Sequence, residues 1–385
     1  MRKVLFVHDG PRWKNDSGVQ FGSMADKDMY HRYQYLGDNV EFMMRVFKVN
    51  DTSKLMNVNE FGLNIHEITP FNRPSLLKNY FKSKKEIERQ VDQADILVVR
   101  LPSTIGSVAV KYAKKINKPY IAEVVSCPWD ALTNHSRLGK MYAPASREKL
   151  KKLIEDTKYV IYVTKEFLQD RYPTKYNSTN ISNVILKNLP ETNKLLDYYE
   201  KFDPKGRITF TTLGAVDIYK GQQFVLQAMP ALLKDGYDIM YNIVGGGNNA
   251  RLAALAKELG VEAHVNFTGK LPHEEVFNVL EKTDIYLQPS DSEGLPRGLI
   301  EAMSRGCAAI GSRTGGIPEL LNNDFIIEPK NVADLTAKIR AMLNKETLIK
   351  ESKHNFETAK DYSFEILDSR RKAFYDKFLE SINEK

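Results

Sequence analysis

The 385-residue chain holds two cysteines and two tryptophans. Cys127 and Cys307 lie far apart, which excludes a disulfide framework and a cysteine-based metal centre and fits a reducing cytoplasm. No apolar run approaches the roughly 20 residues of a membrane span. The opening MRKVLFVHDG has a basic start but only VLFV as its apolar run, too short for a signal peptide, so it reads as a first strand. A soluble or peripheral protein is expected. Low-complexity segments and short repeats are missing, as are helix-turn-helix, zinc-finger and RNA-recognition signatures, which argues against nucleic acid as a partner. No His, Cys or carboxylate spacing makes a metal site, so no metal is expected.

What is present is a globular composition, 42% hydrophobic and 10% aromatic, at a length that favours two domains. Short apolar strands alternate with helical stretches in both halves. KVLFVHD, EFMMRVFKV, ILVVRL, PYIAEVVS and YVIYVT are the strands of the first; ITFTTLG, IMYNIVGG, HVNFTG, IYLQPS and AAIGS are those of the second. VAVKYAKKIN, REKLKKLIEDT, QQFVLQAMPALLKDG, RLAALAKELG and HEEVFNVLEKT read as helices. The alternation predicts an α/β chain with two Rossmann-like parallel sheets facing a central cleft. The polar, proline-punctuated KNLPETNKLLDYYEKFDPKGR is the expected linker. Charge is uneven: residues 1–185 carry a net +10 and residues 186–385 a net −3, so the first half favours something anionic.

SDSEGLPRGLIEAMSRG, residues 290–306, places Glu293 in a turn-rich stretch and Glu301 inside an apparent helix. Pro296 suits the first helical turn, and Leu299, Ala302 and Met303 supply an apolar face. Glu301 then lies five residues in, roughly 7–8 Å along at 1.5 Å per residue. Alone, such a pair is ordinary surface charge. Here Gly294, Gly298 and Gly306 let backbone come close, and a glycine pair follows the next strand in SRTGGIPEL. A nucleotide sugar matches this layout. One carboxylate can accept from sugar hydroxyls and the other from ribose hydroxyls, with the helix start serving the charge between.

The stretch PSDSEGLPRGLIEAMSRGCAAIGSRTGGIPEL resembles the donor-site signature of retaining glycosyltransferases of family 4, which have the two-domain GT-B fold. The resemblance implies an N-terminal acceptor-binding domain over residues 1–187, a C-terminal nucleotide-sugar domain over 188–364, and a last helix, 365–385, crossing back onto the first domain. SFEILDSRRKAFYDKFLESI fits that helix, with Phe364, Leu367, Phe374, Phe378 and Leu379 on its apolar side. It further implies that Glu293, with Gly294, Leu295 and Pro296, holds the donor sugar and that Glu301 holds ribose. In GAVDIYKGQ, Gly214 and Lys220 take the places of the phosphate-binding segment, and Lys220 would neutralise the leaving diphosphate. Gly18 in DSGVQFG stands where a glycine loop nears the diphosphate, Gly246 in VGGGN where a glycine turn borders the nucleotide, and Lys270 and Leu271 in GKLPHEE where backbone contacts the base.

The chain departs from that pattern twice. Ala215 follows Gly214 where the family often has Arg, leaving Arg297 as the candidate replacement. Val125 and Ser126 stand where many members carry a His; His135 and Asp130, expected in the loop that follows, are the nearby candidates, and His135 is assigned a catalytic role. Asp26-Lys27-Asp28 looks like the metal-binding DxD of another glycosyltransferase fold, but it precedes a helix and reads as capping charge.

The function implied is a retaining, metal-independent transfer of a hexosyl or N-acetylhexosaminyl group from a nucleoside diphosphate sugar, UDP favoured over GDP, without a cofactor. The acceptor would be a glycan or lipid-linked sugar in bacterial-type surface polysaccharide assembly. Alternatives are a nucleotide-sugar epimerase of the same fold and a non-catalytic sugar-nucleotide-binding protein. Two basic stretches with apolar neighbours, residues 72–90 and 137–158, suggest a cytoplasmic enzyme held peripherally on an anionic membrane surface.

Overall fold

A computed structural model of the chain describes residues 2–53, 55–71, 74–135, 137–190, 200 and 202–384. Residues 191–199 and 201, in the middle of the expected linker, lie outside them.

The first sheet is built on β1 (Lys3–Lys14), whose run VLFV is wholly buried. β1 pairs in parallel with β3 (Asn39–Lys48) on one side and β6 (Ile96–Leu101) on the other. β5 (Asn64–Glu67) extends the sheet beyond β3; β7 (Tyr120–Val124), β8 (Tyr159–Tyr162) and β9 (Asn177–Asn180) extend it beyond β6, all in parallel. Two short strands, β2 (Gln20–Gly22) and β4 (Met56–Asn57), add an antiparallel ribbon at the carboxyl end of β1. The second sheet holds β10 (Arg207–Leu213), β11 (Asp238–Val244), β12 (Val265–Gly269), β13 (Ile285–Gln288), β14 (Ala308–Ser312) and β15 (Ile326–Ile327). They run in the order β12-β11-β10-β13-β14-β15. In each sheet the order reverses direction at the first strand, the switch-point geometry that leaves a crevice at the strands' carboxyl ends.

Those carboxyl ends face each other. A side chain on Gly294, in the loop after β13, would lie 2.2 Å from the carbonyl of Val125, just past β7. Leu295 packs against apolar clusters of both domains. The Glu319 carboxylate of the second domain accepts from the backbone N–H of Lys165, Glu166 and Phe167 of the first, at 2.6, 3.1 and 2.6 Å. It thereby caps the short helix Phe167–Arg171 from across the interface.

The last helix, Phe364–Asn383, returns to the first domain. Tyr159 donates to the Lys377 carbonyl at 3.2 Å, Arg370 to the Asn180 carbonyl at 3.0 Å, and Tyr35 to Asp376 at 2.7 Å. Phe374 and Phe378 stack edge-on against Tyr159. Phe364, expected on the apolar side, is instead 40% exposed as the first residue of the helix, with the Lys187 ammonium over its ring at 5.6 Å. No helix among the described residues is long and apolar enough to cross a membrane.

Candidate active site

A cavity of about 1050 Å³ opens between the domains, with Ala25 and Asp28 of the first domain on one wall and Glu293, Lys220 and Glu301 of the second on the other. The way the sequence builds the second wall is local. β10 ends at Leu213, and the next residue, Gly214, has a φ of +144°, a backbone state other residues avoid. The chain then turns through the 3₁₀ stretch Ile218–Lys220 into Gly221, at φ +76°. A Cβ on Gly221 would lie 1.9 Å from the Pro289 carbonyl. Only glycine lets this turn settle on the end of β13, and the Asp291 N–H donates to the Tyr219 carbonyl at 2.7 Å to hold it there. The result brings Lys220 beside Glu293, with Nζ 2.7 Å from Oε1 and both side chains largely buried.

Behind Glu293 runs a buried hydrogen-bond chain. The Leu213 N–H donates to the Tyr286 hydroxyl at 3.3 Å, which donates to Gln288 Oε1 at 2.8 Å. The Gln288 amide donates to Ser290 Oγ at 2.7 Å and to Glu293 Oε1 at 3.1 Å. Burial pushes the Tyr286 phenol well above its ordinary pKa, so it stays a neutral donor. Glu293 Oε1 thus receives two donors and is fixed in orientation.

Glu301 is the fifth residue of the helix Arg297–Met303. Its Oε1 lies 3.5 Å from His273 Nε2, on the neighbouring helix His273–Leu280. That contact with Glu301 raises the His273 pKa above 6.5, against the opposing effect of burial.

Of the residues expected at a donor site, Glu293, Lys220, Glu301, Gly214, Leu295, Pro296 and Arg297 line the one cavity. Ala215 lines it too, and Arg297 is exposed there, on the same wall. Pro296 stands at the N-cap, one place before the first helical turn expected for it. Gly294 does not line the cavity: its missing side chain makes room for the first domain, and its carbonyl accepts from the Gly316 N–H at 2.7 Å. Gly18 sits at φ +84° in the exposed turn joining β1 to β2, outside the cavity lining. Gly246 and Lys270 are exposed neighbours outside that lining, a Cβ on the first lying 3.6 Å from the Cβ of the second. Leu271 turns to a separate cavity of about 380 Å³ on the far side of the helix His273–Leu280.

The expected loop at Asp130 and His135 is the helix Pro128–His135. Asp130 is committed to Arg171 at 2.9 Å. His135 closes the helix, and its side chain lies outside the described residues. Asp26 does serve as capping charge: Oδ2 accepts from the Ser23 N–H at 2.6 Å, while Oδ1 pairs with Arg12. Sequence reasoning missed Gln288, Tyr286 and His273. A glutamine inside the otherwise apolar IYLQ was the available signal for the first; the other two read as an ordinary strand tyrosine and a helix-start histidine.

Three comparisons bear on this site. Residues 199–361 match the family model described as Glycosyl transferases group 1. Protein CapJ of Staphylococcus aureus is 29% identical over 99% of this chain and 97% of its own length. The amylovoran biosynthesis glycosyltransferase AmsK of Erwinia amylovora is 32% identical, over 32% of this chain and 33% of its own. Anabaena Alr3699/HepE, solved in complex with UDP, superposes with a TM-score of 0.69 at 13% identity, covering all of both chains. The cavity therefore lies in a GT-B-type fold, against a second domain that matches the group 1 glycosyltransferase model over residues 199–361.

Proposed function

We propose that the protein is a retaining glycosyltransferase that moves a hexosyl or N-acetylhexosaminyl group from a UDP-sugar to a hydroxyl of a glycan or lipid-linked sugar. The observation that carries the reading is the gathering of Glu293, Lys220, Gly214, Arg297 and Glu301 on one wall of one interdomain cavity. Glu301 accepts from ribose hydroxyls, Lys220 and Arg297 face the diphosphate, and Glu293 orients the sugar. The anomeric carbon–oxygen bond to the diphosphate breaks as the acceptor oxygen bonds to that carbon from the same face. The acceptor proton passes to the departing phosphate oxygen, and Lys220 stabilises the charge left on the diphosphate.

HepE was solved with UDP-glucose as well as UDP, which supports a uridine donor here. The cations of the cleft wall supply the charge that a metal would bring, so the reading is metal-independent. A membrane-held acceptor, linked through a lipid diphosphate, matches the basic first half and places the enzyme peripherally on the inner face of the membrane. NMR and mass analysis of products from a panel of nucleotide sugars, in excess EDTA, with and without acceptor, tests the donor, the anomeric outcome and the metal independence. Transfer that persists in EDTA and needs acceptor is expected. Conversion of donor alone would make the protein an epimerase, and loss restored by Mg²⁺ or Mn²⁺ would end the metal-free mechanism.

A further inference from the structure

The two basic stretches lie apart in sequence, yet the fold brings them together. The helices Tyr80–Gln93 and Arg137–Glu155 flank the helix Thr104–Lys115. Tyr112 on the central helix donates to Asp92 at 3.0 Å, and Lys114 donates to the Leu153 carbonyl at 3.0 Å. Between them lies a groove of about 670 Å³, separate from the interdomain cavity. Four lysines line it, Lys84, Lys111, Lys115 and Lys149, against one carboxylate, Glu88.

Glu88 is already paired with Lys84 at 3.7 Å. Lys111, Lys115 and Lys149 have no carboxylate within ion-pair distance among the described residues. Burial, and next the charge of Lys111, press the Lys149 pKa down against a smaller opposing pull from Asp9, so like charges crowd here with little to offset them. Apolar groups interleave with them. Leu77, Tyr80 and Tyr142 line the groove and are 61%, 37% and 65% exposed; Phe81 and Met141, next in sequence to the two tyrosines, are 75% and 74% exposed. Thr104 marks the groove's end at the carboxyl edge of the first sheet, the edge that faces the second domain.

We propose that this groove is a docking site for the headgroup layer of an anionic lipid bilayer. The lysines meet the phosphates while the exposed aromatic and aliphatic tips enter the interface. The site goes beyond the transfer reaction and rests on that reading only for its purpose, which is to hold the cleft beside a membrane-borne acceptor.

Co-sedimentation of the full chain with phosphatidylglycerol or phosphatidylcholine vesicles, read without turnover, tests it. Binding to the anionic vesicles alone, weakened by salt, is expected. Lys84→Glu, Lys111→Glu and Lys149→Glu together should lower it by about 100-fold or more, since each lysine near such a surface contributes about fivefold. Lys205→Glu, Lys257→Glu and Lys353→Glu, exposed in the second domain, change net charge equally and should cost far less. Equal effects of the two triples would reduce the proposal to net charge and overturn it. So would equal binding to both lipids, displacement by inorganic phosphate beyond that of sodium chloride at equal ionic strength, or a concentration-dependent dimer in sedimentation velocity that the first triple abolishes. UDP binding measured in parallel separates the two readings: a wild type that binds vesicles but not UDP keeps the groove and loses the donor site.

Discussion

Glu293 and Lys220 neutralise each other at 2.7 Å, so a donor entering the cleft must pull them apart or bridge them. The pair keeps either charge from standing alone in a largely buried place. Lys220→Ala should therefore do two things: lower kcat on the order of 10²-fold, by removing the cation that faces the leaving diphosphate, and leave Glu293 with only Gln288 as donor. Turnover at saturating donor checks the first effect, and near-normal turnover would assign the role elsewhere. Glu301 is a cleaner case, because its contact with His273 is long at 3.5 Å. Glu301→Ala should weaken UDP binding by about 1.5–3 kcal/mol, the range for hydrogen bonds to a charged group. Calorimetry showing unchanged affinity in a folded variant would remove the ribose assignment. The two carboxylates drew notice through the turn chemistry and helical spacing around them in sequence, and Lys220 through the resemblance of GAVDIYKGQ to a phosphate-binding segment. Gln288, Tyr286 and His273 were not, since their roles exist only once β10, β13 and two helices are side by side.

At the scale of elements, the long buried strands were readable from their apolar runs, which need no partner to be recognised. The short ones were not. QFG becomes a strand only because β1 offers it an edge, MN only because QFG in turn does, and NSTN, with no apolar residue, is a strand only because β8 stands beside it. The loop from Gly214 to Gly221 shows the reverse dependence, in which glycine positions dictate where a functional side chain stands. Gly221→Ala would force an L residue to φ +76° and drive a methyl into the Pro289 carbonyl. Left-handed backbone alone costs about 1–2 kcal/mol, and the clash adds to it. The variant should melt at a lower temperature and bind UDP more weakly than wild type. A thermal melt and affinity both equal to wild type would show that Lys220 does not depend on this turn.

Across the whole molecule, stability should carry a pH signature that originates at the centre of the first sheet. His8 stands on β1 with Nδ1 accepting from the Gly10 N–H at 2.9 Å, a geometry that suits the neutral ring. Burial, and next the Arg100 charge, lower its pKa from 6.5 to about 4. Arg100 is itself anchored by Glu123 at 2.9 Å, and Glu123 also accepts from Tyr33. The unfolded chain therefore binds a proton near pH 6.5 that the folded chain refuses until about pH 4. This contribution is fully present above pH 6.5 and is lost as pH falls towards 4, up to about 3 kcal/mol at 1.36 kcal/mol per pKa unit. Urea unfolding at pH 7 and pH 4.5 should show wild type losing more stability on acidification than His8→Asn, whose amide oxygen can still accept from Gly10 but takes no proton. The difference isolates His8 from the carboxylates that titrate in both proteins. Parallel losses in the two would mean that solvent reaches the ring in the folded state and that the charge of Arg100 does not act on it.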